Sequence, residues 1–140
     1  MSEGSNLFSS MRISADAMRA QGTRLRVISE NLANSESTGK TPEDLPYRRR
    51  VVTFRNMLDR SLGGETVRIG SINEDPSNFD RRYQPGHPNA DEEGYVLYPN
   101  VNSLVEMMDM RQAQRSYEAN LNVIESARSM ISRTLDLLRG

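Results

Sequence analysis

Taken at every third and fourth residue, the stretch from Ser103 to Leu138 reads Met107, Met110, Gln114, Tyr117, Leu121, Ile124, Arg128, Ile131, Leu135, Leu138. This is a seven-residue repeat, apolar at most of its a and d positions. It lays a narrow seam along one side of an α-helix, as in a coiled coil. Ser103 and Glu106 have the Ser-x-x-Glu spacing of a capping box and mark the predicted start. Ala113, Val123, Ala127 and Met130 widen the apolar face beyond the seam, so this helix is expected to need several partner helices. The same beat recurs near the start of the chain in Phe8, Met11, Ala15, Met18, Gly22, Leu25, Ser29 and Leu32. A helix is predicted there from about Leu7, capped by Ser5 or Asn6, to about Asn34. Ala15, Gly22 and Ser29 share one repeat position, where small side chains let a neighbouring helix come close.

Between the helices the pattern changes. Residues 35–46 read as a polar linker. Tyr47 to Phe54 is rich in β-branched and aromatic residues and predicts a strand, and Thr66 to Ile72 alternates as a half-buried strand does. Asn56 to Leu62 reads as a short helical turn closed by Gly63 and Gly64. Asp75 to Glu93 reads as turn throughout, and Tyr95 to Tyr98 as a last strand ended by Pro99. The expected division is an N-terminal helix over 1–34, a linker over 35–46, a β-strand and loop module over 47–100, and a C-terminal helix over 101–140. The fold class is mainly α, with long terminal helices of coiled-coil spacing that are expected to find enough partners only on assembly.

Composition narrows the function. A net charge of −1, from 18 basic and 19 acidic residues, provides no field for nucleic acid or an acidic membrane. Cysteine is absent, which removes disulfides and thiolate chemistry. No stretch is apolar for the ~20 residues of a membrane span. Met1 to Ser10 lacks the basic start and apolar run of a cleaved secretory signal, so the chain reads as soluble, or as exported by a route that needs no such signal. All the basic residues but Lys40 are arginine, which suits interfaces with fixed ion-pair geometry and follows equally from a biased genome composition.

His87, the single histidine, lies between Gly86 and Pro88, with Asp80 and Asp91 as the local acids of a hydrolase reading. There is no phosphate loop, nucleophile elbow or histidine pair to support it, and a turn residue is the preferred reading. Arg48, Arg49 and Arg50 are read as intersubunit salt-bridge formers.

Several strings together carry a resemblance. They are Ile28-Ser29-Glu30-Asn31-Leu32-Ala33-Asn34, Pro46-Tyr47-Arg48-Arg49, Tyr83 to Asp91 with its Pro-Gly-His-Pro, Gly94-Tyr95-Val96, Pro99-Asn100-Val101-Asn102, Glu106-Met107, and Ala113-x-Arg115-x-Tyr117-Glu118-Ala119-Asn120. Over nearly its whole length the chain resembles the bacterial flagellar rod and hook family, most closely its proximal rod subunits. The 35–46 linker follows that family loosely, and Asn89 stands where the family commonly has Asp.

The resemblance implies a structural, non-enzymatic subunit of the basal-body rod in the periplasm, exported through the flagellar type III apparatus and polymerised into a drive shaft. No cofactor or metal is implied. The implied partners are other copies of the chain, other rod proteins, motor-side ring and rod-base components, and the export apparatus. Seam and motifs together mark as subunit-interface residues Phe8, Met11, Met18, Leu25, Leu32, Asn34, Tyr47, Arg48, Arg49, His87, Met107, Met110, Arg115, Tyr117, Asn120, Leu121, Ile124, Ile131, Leu135 and Leu138. Asn120 is expected to fix register through an interhelical hydrogen bond. The alternative is a soluble helical adaptor that docks a partner through its C-terminal helix; two seams, one at each end, favour assembly over it.

Overall fold

The structure, a computed structural model, describes residues 3–140. In chain order its elements are α1 (Glu3–Ala33), β1 (Arg50–Asp59), β2 (Gly64–Glu74), β3 (Asp80–Tyr83), β4 (Tyr95–Tyr98) and α2 (Ser103–Arg139). The 31 residues of α1 and 37 of α2 give rods of about 46 and 55 Å at ~1.5 Å per residue. They run antiparallel: Asn31 meets Glu106 at one pole, and Leu7 and Met130 line a groove between the helices near the other. The strands form two separate antiparallel hairpins, β1–β2 and β3–β4. The mainly α architecture, with two long terminal helices packed together and a small β module between them, is as expected.

Local expectations were corrected where hydrogen bonding overrode pattern. Helix α1 already includes Glu3, so Ser5 and Asn6 lie inside it rather than capping it. The expected start followed the first apolar residue, but helix propagates past such a point at one bond per residue fixed. The cap of α2 is Asn102, whose Oδ1 accepts from the N–H groups of Leu104 (3.1 Å) and Val105 (3.4 Å). Glu106 does not complete a capping box, because its carboxylate is turned inward onto Arg49 and Asn31.

Asn56 to Leu62 is not a helical turn. Strand β1 continues to Asp59, pairing Asn56 with Val67 and Met57 with Thr66, and that ladder satisfies its backbone better than one isolated helical turn. The reversal at 60–63 uses Gly63 at φ +67°, a left-handed conformation that favours glycine. Within the region read as turn, Asp80–Tyr83 is a strand opposite Tyr95–Tyr98. Its polar sequence hides it, because the Arg81 and Arg82 guanidinium groups lie over the rings of Tyr95 (4.0 Å) and Tyr98 (4.1 Å).

Helix α1 is covered on two sides. Ile13 touches Gly64, and Asp16, Arg19, Ala20 and Thr23 face Val67, Arg68 and Ile69, so the β1–β2 hairpin lies along α1. The second side carries Arg24 and Asn31 against α2. The buried residues of the two helices are Ser14, Ala20, Val27, Ile28, Asn31, Glu106, Ala113 and Ala127, most of them small or polar.

Candidate assembly interface

Three segments far apart in sequence converge at the pole where α1 ends and α2 begins. Asn31 and Glu106 are each 1% exposed. The Asn31 amide donates to the Arg50 carbonyl (2.9 Å) and to Glu106 Oε2 (3.4 Å). Its Oδ1 accepts from the Tyr47 hydroxyl (2.7 Å) and the Arg50 N–H (3.0 Å). One asparagine thereby ties both helices to the start of β1.

Arg49 donates through Nε to Glu106 and through Nη1 to Asp75 (3.2 Å). Burial works against its charge, but the hydrogen bond and charge of Glu106, then those of Asp75, more than offset it and hold the guanidinium's pKa above its usual value. Burial, then the charge of Glu30, pushes the Tyr47 hydroxyl up. Asn100 completes the ring by accepting from the Arg49 N–H (2.7 Å) and donating to the carbonyls of Asp75 and Ser77 (3.1 Å each). Among the described residues no buried side-chain nitrogen or oxygen lacks a partner. Such a network specifies one register of the two helices, since any slip strands a buried charge.

Arg48 and Arg49, read as reaching other subunits, are therefore engaged inside the chain. Arg48 donates to the carbonyls of Asp75 and Ser77 (2.9 Å each) and lies over the Phe79 ring. Arg50 lies within 3.4 Å of Glu30 in an exposed pair. Asn34 closes the end of α1, its amide donating to the Glu30 carbonyl (2.8 Å). His87 is a turn residue whose Nδ1 accepts from the Asn89 N–H (3.0 Å). The acids proposed beside it serve elsewhere, Asp80 on Arg82 and Asp91 on the N–H groups of Glu93 and Tyr95. The Asn89 amide donates to Thr38 Oγ1 (3.3 Å) and to the Gly39 carbonyl, which pins the linker. An aspartate cannot donate there, so the two departures from the family pattern touch each other.

The helical seams divide. On α2 the row facing α1 is Glu106, Ala113, Asn120 and Ala127, one position off the expected seam. The d row of that seam (Met110, Ile124, Ile131) is half-buried beside it, whereas its a row (Met107, Leu121, Leu135) is exposed. Tyr117, Arg115 and Leu138 are exposed as well. Asn120 makes no interhelical bond; its amide donates to the Ser116 carbonyl one turn back (2.8 Å). On α1, Met11, Met18, Leu25 and Leu32 are half-buried and Phe8 is exposed. An added Cβ at Gly22 meets nothing within 4 Å, so no contact inside the chain requires that glycine. Val123 and Met130, named from the sequence as widening the apolar face, form with Leu137, which was not named, a further row on α2, exposed on the other side of the α1 contact. Its three-four spacing was the available signal. Asn31, Asn100 and Glu106 stood within quoted motifs, but nothing in their spacing revealed that they meet.

A family model described as "Flagellar basal body rod FlgEFG protein C-terminal" matches residues 92–137, from the turn before β4 nearly to the end of α2. The chain is 47% identical over 134 residues to the flagellar basal-body rod protein FlgC of Agrobacterium fabrum, covering 96% of each chain. The chain belongs to the FlgC family of flagellar basal-body rod proteins. Its similarity to the FlgC of Bacillus subtilis is 37% identity, with 93% of this chain and 97% of that one covered. With the FlgC of Salmonella typhimurium it is 41%, with 89% and 92% covered. Members of the FlgC family are structural, non-enzymatic rod proteins that assemble with other rod components, so neither the hydrolase nor the adaptor reading stands. The polar junction ties the end of α1, the start of β1 and the start of α2 together within the chain.

Proposed function

We propose that this chain, as a proximal rod subunit, packs side by side with copies of itself in the flagellar drive shaft and transmits torque through those contacts. The observation that carries the reading is the design of α2. Two exposed apolar rows, that of Leu121 and that of Val123, run along it on either side of the α1 contact, and α1 covers neither. Opposite α1 lies a polar stripe of Arg111, Arg115, Glu118, Asn122 and Glu125, which suits water. A helix built this way belongs between two neighbours. The Leu121 row of one copy facing the Val123 row of the next is a heterologous contact, which repeats into a ring or a helical tube.

The half-buried residues of α1, from Met11 to Leu32, border the same surface and extend it. Torque then passes through many weak contacts in parallel. We place the subunit in the periplasmic part of the basal body, exported unfolded through the flagellar type III apparatus without a cleaved signal, with motor-side ring and rod-base components as further partners. Support comes from family membership and from the lack, among the described residues, of any helix long and apolar enough to cross a membrane.

The test is a chain carrying Leu121→Glu and Val123→Glu. Both side chains are already partly in water, so circular dichroism should show unchanged helix content while the variant fails to enter basal bodies and the cells stop swimming. Normal incorporation and swimming would sink the reading.

A further inference from the structure

We infer that the acidic turn at 42–45 of one copy docks on the outer face of the first turns of α2 in the next copy. This rests on the side-by-side reading above and names a second contact between the same neighbours. Leu104, Met107, Met108, Arg111 and Arg115 recur at i, i+3, i+4, i+7 and i+11, so they share one face of α2, on the side away from α1. Leu104 and Met108 are 68 and 63% exposed, an oily patch on what is otherwise the polar side of the helix. Arg111 and Arg115 continue the face, are exposed, and form no ion pair among the described residues. Glu118, the next acid on this face, lies one turn farther from the patch.

Such a face takes an apolar side chain set beside negative charge, and the linker of this chain presents one. Residues 40–45 are all exposed. Glu43 and Asp44 form no ion pair among the described residues, and Leu45 directly after them is 66% exposed. The turn is preformed. The Asp44 N–H donates to the Thr41 carbonyl (3.1 Å), and Pro42 stands second in that turn, where its fixed φ is suited. Asn89 holds Gly39 on one side, and Pro46 is buried on the other. Docking a turn already in shape loses little conformational entropy. With Leu45 on Met108, the two acids come within side-chain reach of both arginines. Two residues of chain span about 7 Å, and Arg111 and Arg115 lie about 5 and 11 Å beyond Met108 along the axis.

The occupant is another copy, because turn and patch are each uncovered in their own chain. Their placement brings them together between neighbours. Tyr47 bonds to Asn31, and Asn31 to Glu106, so both stand at the same pole of the helix pair. Arg49 lies 3.7 Å from Asp109, which begins the Val123 row, so the chain that follows the turn runs on the Val123 side of α2. Met107 begins the Leu121 row on the opposite side. When the Val123 side of one copy meets the Leu121 side of the next, the turn of the first arrives beside the patch of the second at the same level.

A charge exchange in the full-length chain provides the test. Arg111→Glu with Arg115→Glu removes no contact inside the chain, so helix content by circular dichroism should be kept. Recovery of the chain in isolated basal bodies should fall by about fivefold, or ~1 kcal/mol, as for two exposed ion pairs lost. Adding Glu43→Arg and Asp44→Arg to the same chain restores opposite charges, and recovery should return to at least half that of the unchanged protein. Undiminished recovery in the first variant, or no return in the second, overturns the inference. If charge reversal has no effect while the Leu121→Glu and Val123→Glu chain stays out of basal bodies, the docked turn falls and the lateral reading stands.

A photo-crosslinking benzoylphenylalanine in place of Leu45 gives a readout that does not depend on the lateral contact. Irradiated basal bodies should yield a product of two copies, in which position 45 is joined to a peptide containing Leu104 to Met108. A link to a different rod chain, to another region, or to nothing overturns the inference, even where normal assembly of the Leu121→Glu and Val123→Glu chain has removed the lateral reading.

Discussion

Glu106 sits in the protein interior with its charge met from two directions, by Arg49 and by the Asn31 amide. Removing one partner of such a pair leaves the other buried and uncompensated, which costs about 3 kcal/mol or more. Glu106→Ala and Arg49→Ala should each lower the unfolding free energy from denaturant titration by that much, and the double variant by less than the sum, since the two share one network. Additive losses would show that the pair does not act as a unit.

At Asn89 the substitution to Asp removes two donors from the linker contact; about 1 kcal/mol should be lost, with faster amide exchange around Thr38 and Gly39. Acid sensitivity belongs to this scale too. Hydrogen bonds from Ser77, with help from Arg49, hold the Asp75 carboxyl below the usual range, and the Tyr95 and Glu93 N–H groups do the same for Asp91. A depressed folded-state pKa stabilises fully above the unfolded value of about 3.9 and is lost as pH falls through the folded value. Melting temperature should therefore be flat from pH 7 to about 5 as far as these groups contribute, then fall below about 4. Asp75→Asn should blunt that fall.

The two helices are unevenly held along their length. At the pole where α1 ends, the polar junction and Val27 and Ile28 are buried; at the other, Phe8, Met130, Leu137 and Leu138 face solvent and a groove opens beside Leu7. Local opening follows local burial. In the free subunit, amide exchange should slow progressively from Ser10 to Asn31 along α1, and quicken from Ala113 to Leu138 along α2. Equal protection at both poles would contradict this, and assembly should erase the gradient. Gly22 provides a sharper trial. With open space around its Cβ, Gly22→Ala should stabilise the free subunit by about 1 kcal/mol, seen as a higher melting temperature. If Ala15, Gly22 and Ser29 admit a neighbouring helix closely, the same change impairs swimming. The hairpins also show where element-level reading works. Alternation found β2, and the run of Tyr95 to Tyr98 before Pro99 found β4, but β1 beyond Phe54 and all of β3 exist because of a partner strand, and no local pattern records a partner.

As a whole the molecule is a braced pair of rods, with oily surface left on both sides of α2. Such a subunit is stable enough to keep its shape at one pole and incomplete without company at the other. Deleting 1–34 removes Asn31, Arg24 and Val27 together, exposes the Ala113 face of α2 and leaves Glu106 with less compensation. The truncated chain should be absent from purified basal bodies, and its cells should not swim; a motile strain would remove the basis for a two-helix assembly.

From its residues alone the chain disclosed two long terminal helices, the β and loop texture between them, the family motifs, and the excess of apolar surface over what one chain can cover. Those follow from periodicity and composition, which are local and need no coordinates. Which row of α2 meets α1 was beyond them. With apolar residues in several neighbouring rows, the a and d rule cannot choose among them, and the contact fell to the row whose alanines admit a close approach and whose Glu106 meets Asn31. The capping role of Asn102, the inward turn of Glu106 and the internal use of Arg48 and Arg49 were equally hidden. The contacts of Glu106, Arg48 and Arg49 depend on groups 26 to 75 residues away finding one another, and only the folded chain brings them together.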